Sequence, residues 1–265
     1  MYPFIQRVSK TASTLLLLLL VLSGTMSYAK ITSMEEAVNK AGRQRMLTQK
    51  MLKEYALIGM NSTYGNPKEG LKKSVDLFET QLAELQSYVK DKEAAKSLVA
   101  VKKLWKPIKK TVLQKPDIKN VTALQHDLES LLKAAHKSTL LITKASKTKA
   151  GEIVNISGRQ RMLSQRMAGL YMLKVWGVQD SEFEQKLDTA MQQFSAAHQK
   201  LKASSLNTPK INELLKKVGR SFMFFEVMGR SKSKKYIPSL INRSANQILK
   251  NMNIATGLYA KGTKE

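Results

Sequence analysis

Apolar residues in this chain recur at three- and four-residue steps, so nearly all of residues 33–260 reads as helix. No alternation of period two competes anywhere. Ser33-Met-Glu-Glu36 forms a capping box that opens a first helix, which runs to about Met60 and stops in the turn-rich Asn61–Gly65. Asn66 followed by Pro67 opens a second helix to about Lys90. A third covers about Lys92 to Gln114, with a kink expected at Pro107, and a fourth follows Pro116. Later in the chain Ser181–Glu184 is again a capping box, while Thr208-Pro209 and Pro238 open two further helices.

Between Pro116 and Pro209 there is no proline, and one apolar face continues from Leu124 through Leu128, Leu131, Leu132, Leu140 and Ile153 to Met162. The pattern predicts one rod from about 122 to 178, roughly 85 Å long at 1.5 Å per residue. The polar stretch Lys144–Gly151 is where such a rod would break. The expected fold is all-α: two tandem antiparallel four-helix bundles stacked end to end, sharing this long connecting helix.

The plan is used twice because the sequence itself is. Gly42-Arg-Gln-Arg-Met-Leu-Thr-Gln-Lys-Met51 returns 116 positions later as Gly158-Arg-Gln-Arg-Met-Leu-Ser-Gln-Arg-Met167. The register then pairs Tyr55 with Tyr171, Leu71 with Leu187, Phe78 with Phe194 and Leu85 with Leu201. Self-similarity at a fixed period marks one supersecondary module used twice. The modules are placed at residues 30–145 and 146–265, each long enough to bury a core.

Residues 1–29 fall outside both modules. Arg7 and Lys10, the apolar block Leu15–Leu22 and the small residues around Ser27-Tyr28-Ala29 read as a secretory signal cleaved after Ala29, which predicts a periplasmic protein. The apolar block is shorter than the ~20 residues of a spanning helix, so an uncleaved anchor is the lesser alternative. With no cysteine, the exported chain must be stabilised by its helical core alone. The net charge of +25 falls to +23 once Arg7 and Lys10 are removed, a balance that implies anionic partners or surroundings. Nucleic acid is disfavoured as that partner, because the lysines are scattered over every helix without an aromatic-interleaved groove.

The repeated motif is unusual in what it turns inward. The face expected to meet the core reads Ala41, Arg45, Thr48, Leu52, Tyr55 in the first copy and Ser157, Arg161, Ser164, Ala168, Tyr171 in the second. A buried guanidinium needs a partner, yet the acids that could serve do not repeat: Glu79 corresponds to Ser195, Glu84 to Lys200 and Glu129 to Ala245. Two readings follow. Either Arg45 and Arg161 bond to backbone carbonyls or to Gln49 and Gln165, or reach the surface past the short Thr48 and Ser164 side chains; or the arginines, glutamines and hydroxyls form an anion site, since a planar guanidinium fork suits oxyanions and carboxylates. Gly42 and Gly158 would then allow a ligand or another helix to come close.

The duplicated Gly-Arg-Gln-Arg-Met-Leu motif, with Tyr55 and Tyr171 beyond it, resembles the type IV pili methyl-accepting chemotaxis transducer N-terminal domain, the PilJ-type family, related to the sensor domains of nitrate/nitrite-responsive NarX-type kinases. The resemblance covers both modules. It implies that Arg45 and Arg161 contact an anion held between helices or across a homodimer interface, with Gly42, Gly158, Lys50 and Arg166 in the same motif. Arg43 and Arg159 are extra basic residues relative to the nitrate sensors, so nitrate itself is not secured. No second membrane segment, linker or kinase follows the last helix, so any signal is expected to pass through a membrane sensor, chemotaxis or pilus-associated partner.

Other constellations are weak. His126, His136 and His198 share no metal-ligand spacing, and the 13 methionines fall at core positions, so no cofactor or metal is expected. Trp105, Trp176 and Phe222–Phe225 read as core anchors. No nucleophile and base are paired and no phosphate loop is present, which argues against an enzyme. The sequence therefore suggests an exported sensor-type module for a small anion. The alternative is a structural envelope protein whose basic surface binds anionic polymer or pilus components.

Overall fold

The computed structural model describes residues 31–230 and 236–262; the proposed signal segment lies outside them. Eight α-helices occur among the described residues: α1 Met34–Gly59, α2 Pro67–Tyr88, α3 Lys92–Val112, α4 Val121–Ser146, α5 Lys149–Trp176, α6 Phe183–Lys202, α7 Pro209–Arg230 and α8 Pro238–Lys261. None is long and apolar enough to cross a membrane.

Most boundaries follow the predicted chemistry. The Ser33 hydroxyl accepts from the Glu36 amide at 3.1 Å to cap α1, and the Asn66 side chain caps α2 ahead of Pro67. At α6 the expected capping box does not form. The helix begins at Phe183, and Asp180 instead accepts from the Glu182 amide at 2.9 Å and from Lys186.

The long connecting rod is not built either. α4 ends at Ser146, Lys147 turns into the left-handed region at φ 52°, and the Thr148 hydroxyl accepts from the Gly151 amide at 3.0 Å to start α5 afresh. The polar Lys144–Gly151 stretch has no apolar side chain larger than alanine to keep one face continuous, and Thr148 offers a new cap, so a reversal wins over extension. Consequently α5 folds back instead of carrying the second repeat away from the first.

Within each repeat, neighbouring helices run antiparallel: α1 packs on α2 and α4, and α3 on α4; α5 packs on α6 and α8, and α7 on α8. The most extensive helix pair is α1 with α5. These two run parallel and nearly in repeat register. Gly42 lies beside Gly158, Lys53 beside Gly169 and Gly59 beside Trp176. End-to-end stacking is thus replaced by lengthwise packing of the two motif-bearing helices.

The repeats share internal ties. Phe78 and Phe194 are fully buried, and their carbonyls accept from Gln44 and Gln160 at 3.2 and 2.9 Å, fixing α1 to α2 and α5 to α6. Tyr55 and Tyr171 hydroxyls accept from the Asp117 and Ile237 amides. Of the predicted aromatic anchors, Trp105, Phe222 and Phe225 are buried and Trp176 is partly so, whereas Phe224 is exposed.

Candidate functional site

The seam between α1 and α5 is close because two glycines face each other. A Cβ added to Gly42 would lie 3.7 Å from the Gly158 Cα, and one added to Gly158 would lie 3.6 Å from the Gly42 Cα. The same two points are 3.2–3.4 Å from Nη2 of both Arg45 and Arg161. The two guanidinium groups therefore meet at the glycine crossing, one from each repeat, with 1% and 0% of their surface exposed.

Each arginine reaches across the seam. Arg45 Nη2 donates to the Asn155 carbonyl and Arg161 Nη2 to the Asn39 carbonyl, both at 3.1 Å. Asn39 and Asn155 are themselves 116 positions apart, so the pair of crossed bonds obeys a local two-fold relation. The third partner breaks it: Arg45 Nη1 meets His136 Nδ1 of α4 at 3.1 Å, whereas Arg161 Nη1 donates to Asn253 Oδ1 of α8 at 3.1 Å. His136 must accept here and is therefore neutral, with its proton on the other ring nitrogen.

No carboxylate pairs with either arginine among the described residues. Nε of each arginine and Oδ1 of Asn39 and Asn155 are buried without a hydrogen-bond partner. Burial, and then the nearby Arg159, push the Arg45 guanidinium down to about 9. Burial, and then Arg43 and Arg45, push Arg161 well below its ordinary value. Two positive charges thus share a buried seam, flanked crosswise by two more. Both guanidinium groups keep neutral hydrogen-bond partners but no counter-charge among the described residues, and burying a charge uncompensated costs several kcal/mol.

The structure sorts the sequence-predicted residues. Gly42, Gly158, Arg45 and Arg161 come together. Arg43 and Arg159 stand behind them, with Arg159 donating to Gln193 Oε1 at 3.1 Å. Gln49 and Gln165 turn away: Gln49 faces Glu129 of α4, and Gln165 donates to the Ala245 carbonyl of α8 at 3.2 Å. Lys50 bonds Glu54, the Gly70 carbonyl and Ser74, while Arg166 pairs with Glu129 at 2.6 Å. Thr48 and Ser164 return their hydroxyls to the Arg45 and Arg161 carbonyls. Sequence reasoning missed Asn39, Asn155 and His136. The first two could have been found, since they recur at the repeat offset just before the motif.

The histidines carry a testable consequence. His136 is lowered to about 4 by burial, Arg45 and Arg159, and His198 to about 4 by burial and then Lys202. Unfolded histidine titrates near ~6.5, so below that pH the unfolded state binds protons that the folded state refuses. Stability is expected to fall as pH drops from about 6.5 towards about 4, by at most ~1.4 kcal/mol per pH unit for a buried histidine and by less for the partly exposed His136, where solvent screens the charge. Urea midpoints at pH 7, 6 and 5 measure it. His136→Gln and His198→Gln should each flatten the slope.

The comparison with known families settles kinship. The profile of the type IV pili methyl-accepting chemotaxis transducer N-terminal family, PilJ, matches residues 26–134 and 142–218. The chain belongs to the PilJ family. No curated protein and no solved structure matches it. The two matched segments fit a tandem arrangement, and both contain one copy of the repeated motif. In this PilJ chain, a sensor/transducer N-terminal domain, the two copies meet each other through their glycine-arginine faces.

Proposed function

We propose that this PilJ-family protein is an exported, non-catalytic sensor module that binds one small anion, an oxyanion of the nitrate/nitrite kind or a carboxylate, at the seam between Arg45 and Arg161. The repeats at 30–145 and 146–265 supply one arm each, so a single chain holds both arms. The observation that carries the reading is the pair of buried guanidinium groups meeting at Gly42 and Gly158 with no carboxylate paired to them among the described residues.

An anion there would remove like-charge repulsion between α1 and α5 and draw the two helices together. That supplies a mechanical output, because α1 and α5 each anchor the helices of their own repeat. A membrane partner of chemotaxis, pilus or two-component type would read the change. The export reading rests on residues 1–29.

The test is a thermal-shift screen of ligand-stripped protein against nitrate, nitrite, acetate and chloride. A ligand that binds only the folded state stabilises it by about 2.7 kcal/mol at a hundred times its dissociation constant. For a chain of this size that corresponds to roughly 5–10 °C in Tm. No response to any anion would leave the arginines a structural role only and favour an envelope protein with a basic surface.

A further inference from the structure

The two-fold relation at the seam is broken on one side only. Beside Arg45, α4, α5 and α6 enclose a cleft of about 410 Å³, and an adjoining cavity of about 310 Å³ shares Arg45, His136, Arg159 and Gln193 with it. Arg45 is 1% exposed yet lines both cavities, so its guanidinium is the place where cleft and seam meet. Its Nε is one of the buried donors without a partner. Arg161 lines neither of these cavities.

The walls of the cleft are of two kinds. Leu132, Met162 and Leu163 give it an apolar side, and Lys133 and Arg159 give it a cationic one. The other charges there are already compensated. Arg166 is paired with Glu129 at 2.6 Å, and Lys186 is paired with Asp180 at 2.9 Å and Glu182 at 3.1 Å. A bare inorganic oxyanion would satisfy the arginines but leave the cleft volume against Leu132, Met162 and Leu163 unfilled. An anion with an apolar body would cover both, and a volume of this order is that of a small-molecule site.

We propose that the α4–α5–α6 cleft makes the ligand an organic carboxylate: its acidic head lies at Arg45, on the cleft side of the Arg45–Arg161 seam and beside Arg159, and its compact apolar body rests on Leu132, Met162 and Leu163. This rests on the seam reading above, since Arg45 serves both. His136 holds Arg45 from the α4 side and so fixes the direction from which the head arrives.

Benzoate is the simplest probe that places an apolar ring behind a carboxylate, with benzamide as its uncharged counterpart. Titration calorimetry on the full mature chain should give benzoate at least tenfold tighter binding than acetate, and none for benzamide. Thr189→Trp, at an exposed position on the cleft wall, should weaken benzoate at least tenfold while acetate still binds. Arg159→Gln should weaken benzoate by a similar factor. If acetate and nitrate bind but benzoate is no tighter and is indifferent to Thr189→Trp, the cleft is not part of the site and the inference falls while the seam reading stands. If no anion of either kind binds, both fall together.

Discussion

Arg161→Met is expected to abolish the anion response and to leave the anion-free protein at least as stable as the natural one. In the wild type, Arg161 is fully buried, faces Arg45 across the glycine crossing and has no carboxylate partner among the described residues. Its removal leaves the Asn39 carbonyl and Asn253 Oδ1 without that donor, a loss on the order of 1–3 kcal/mol. Against this stands relief of an uncompensated buried charge, and replacing buried ionic groups by apolar residues of similar volume is often neutral or stabilising by about 1–4 kcal/mol. Methionine is the right replacement because its flexible thioether fills an irregular gap. Thermal melts with and without acetate or nitrate read both effects. A drop of about 3–5 kcal/mol in the anion-free protein, with the anion response intact, would make the arginine a structural strut and refute the seam site.

The second large effect is expected at the glycine crossing. Gly158→Leu should destabilise the fold by about 3 kcal/mol or more and erase the anion response, whereas Gly158→Ala should be close to neutral in stability. The difference lies in what each added atom meets. A lone Cβ sits 3.2 Å and 3.4 Å from the tips of Arg161 and Arg45, flexible ends that can move aside, and 3.6 Å from the Gly42 Cα. Alanine also gains helix propensity, about 1 kcal/mol over glycine. The branch of a leucine, by contrast, extends past Cβ into the α1 backbone, which cannot yield without opening the seam and breaking the crossed Arg45–Asn155 and Arg161–Asn39 bonds. Urea midpoints of the two variants beside the wild type decide it. Equal midpoints for alanine and leucine would show that α1 and α5 are not tightly apposed in solution.

Both expectations depend on the route taken by eight residues of polar chain. Had Lys144–Gly151 continued as helix, Arg45 and Arg161 would each have faced its own bundle, far from the other. A cap at Thr148 and a left-handed turn at Lys147 reverse the chain instead, and the two motif helices come to lie side by side. The competing local energies of helix continuation and helix restart differ by only a kcal/mol or so, which periodicity does not resolve. Packing decides the matter, since α1 and α5 bury their motif faces against each other.

The sequence by itself determined the all-helical class, most helix starts, the duplication and the placing of Arg45 and Arg161 on faces turned inward. These follow from periodicity and capping, which act over a few residues and are visible in a single copy of the chain. It also left both possible roles for the arginines standing; they do donate to backbone carbonyls, yet to carbonyls of the other repeat, and the anion role is the one proposed above. Only the tertiary structure decided that Gly42 opposes Gly158 and that Gln49, Gln165, Lys50 and Arg166 point elsewhere. It alone placed His136 and the cleft on one side of Arg45. Those facts depend on which helix lies against which and in what direction, and contacts between residues on different helices, from Lys50–Gly70 to Gly42–Gly158, leave no mark in local periodicity.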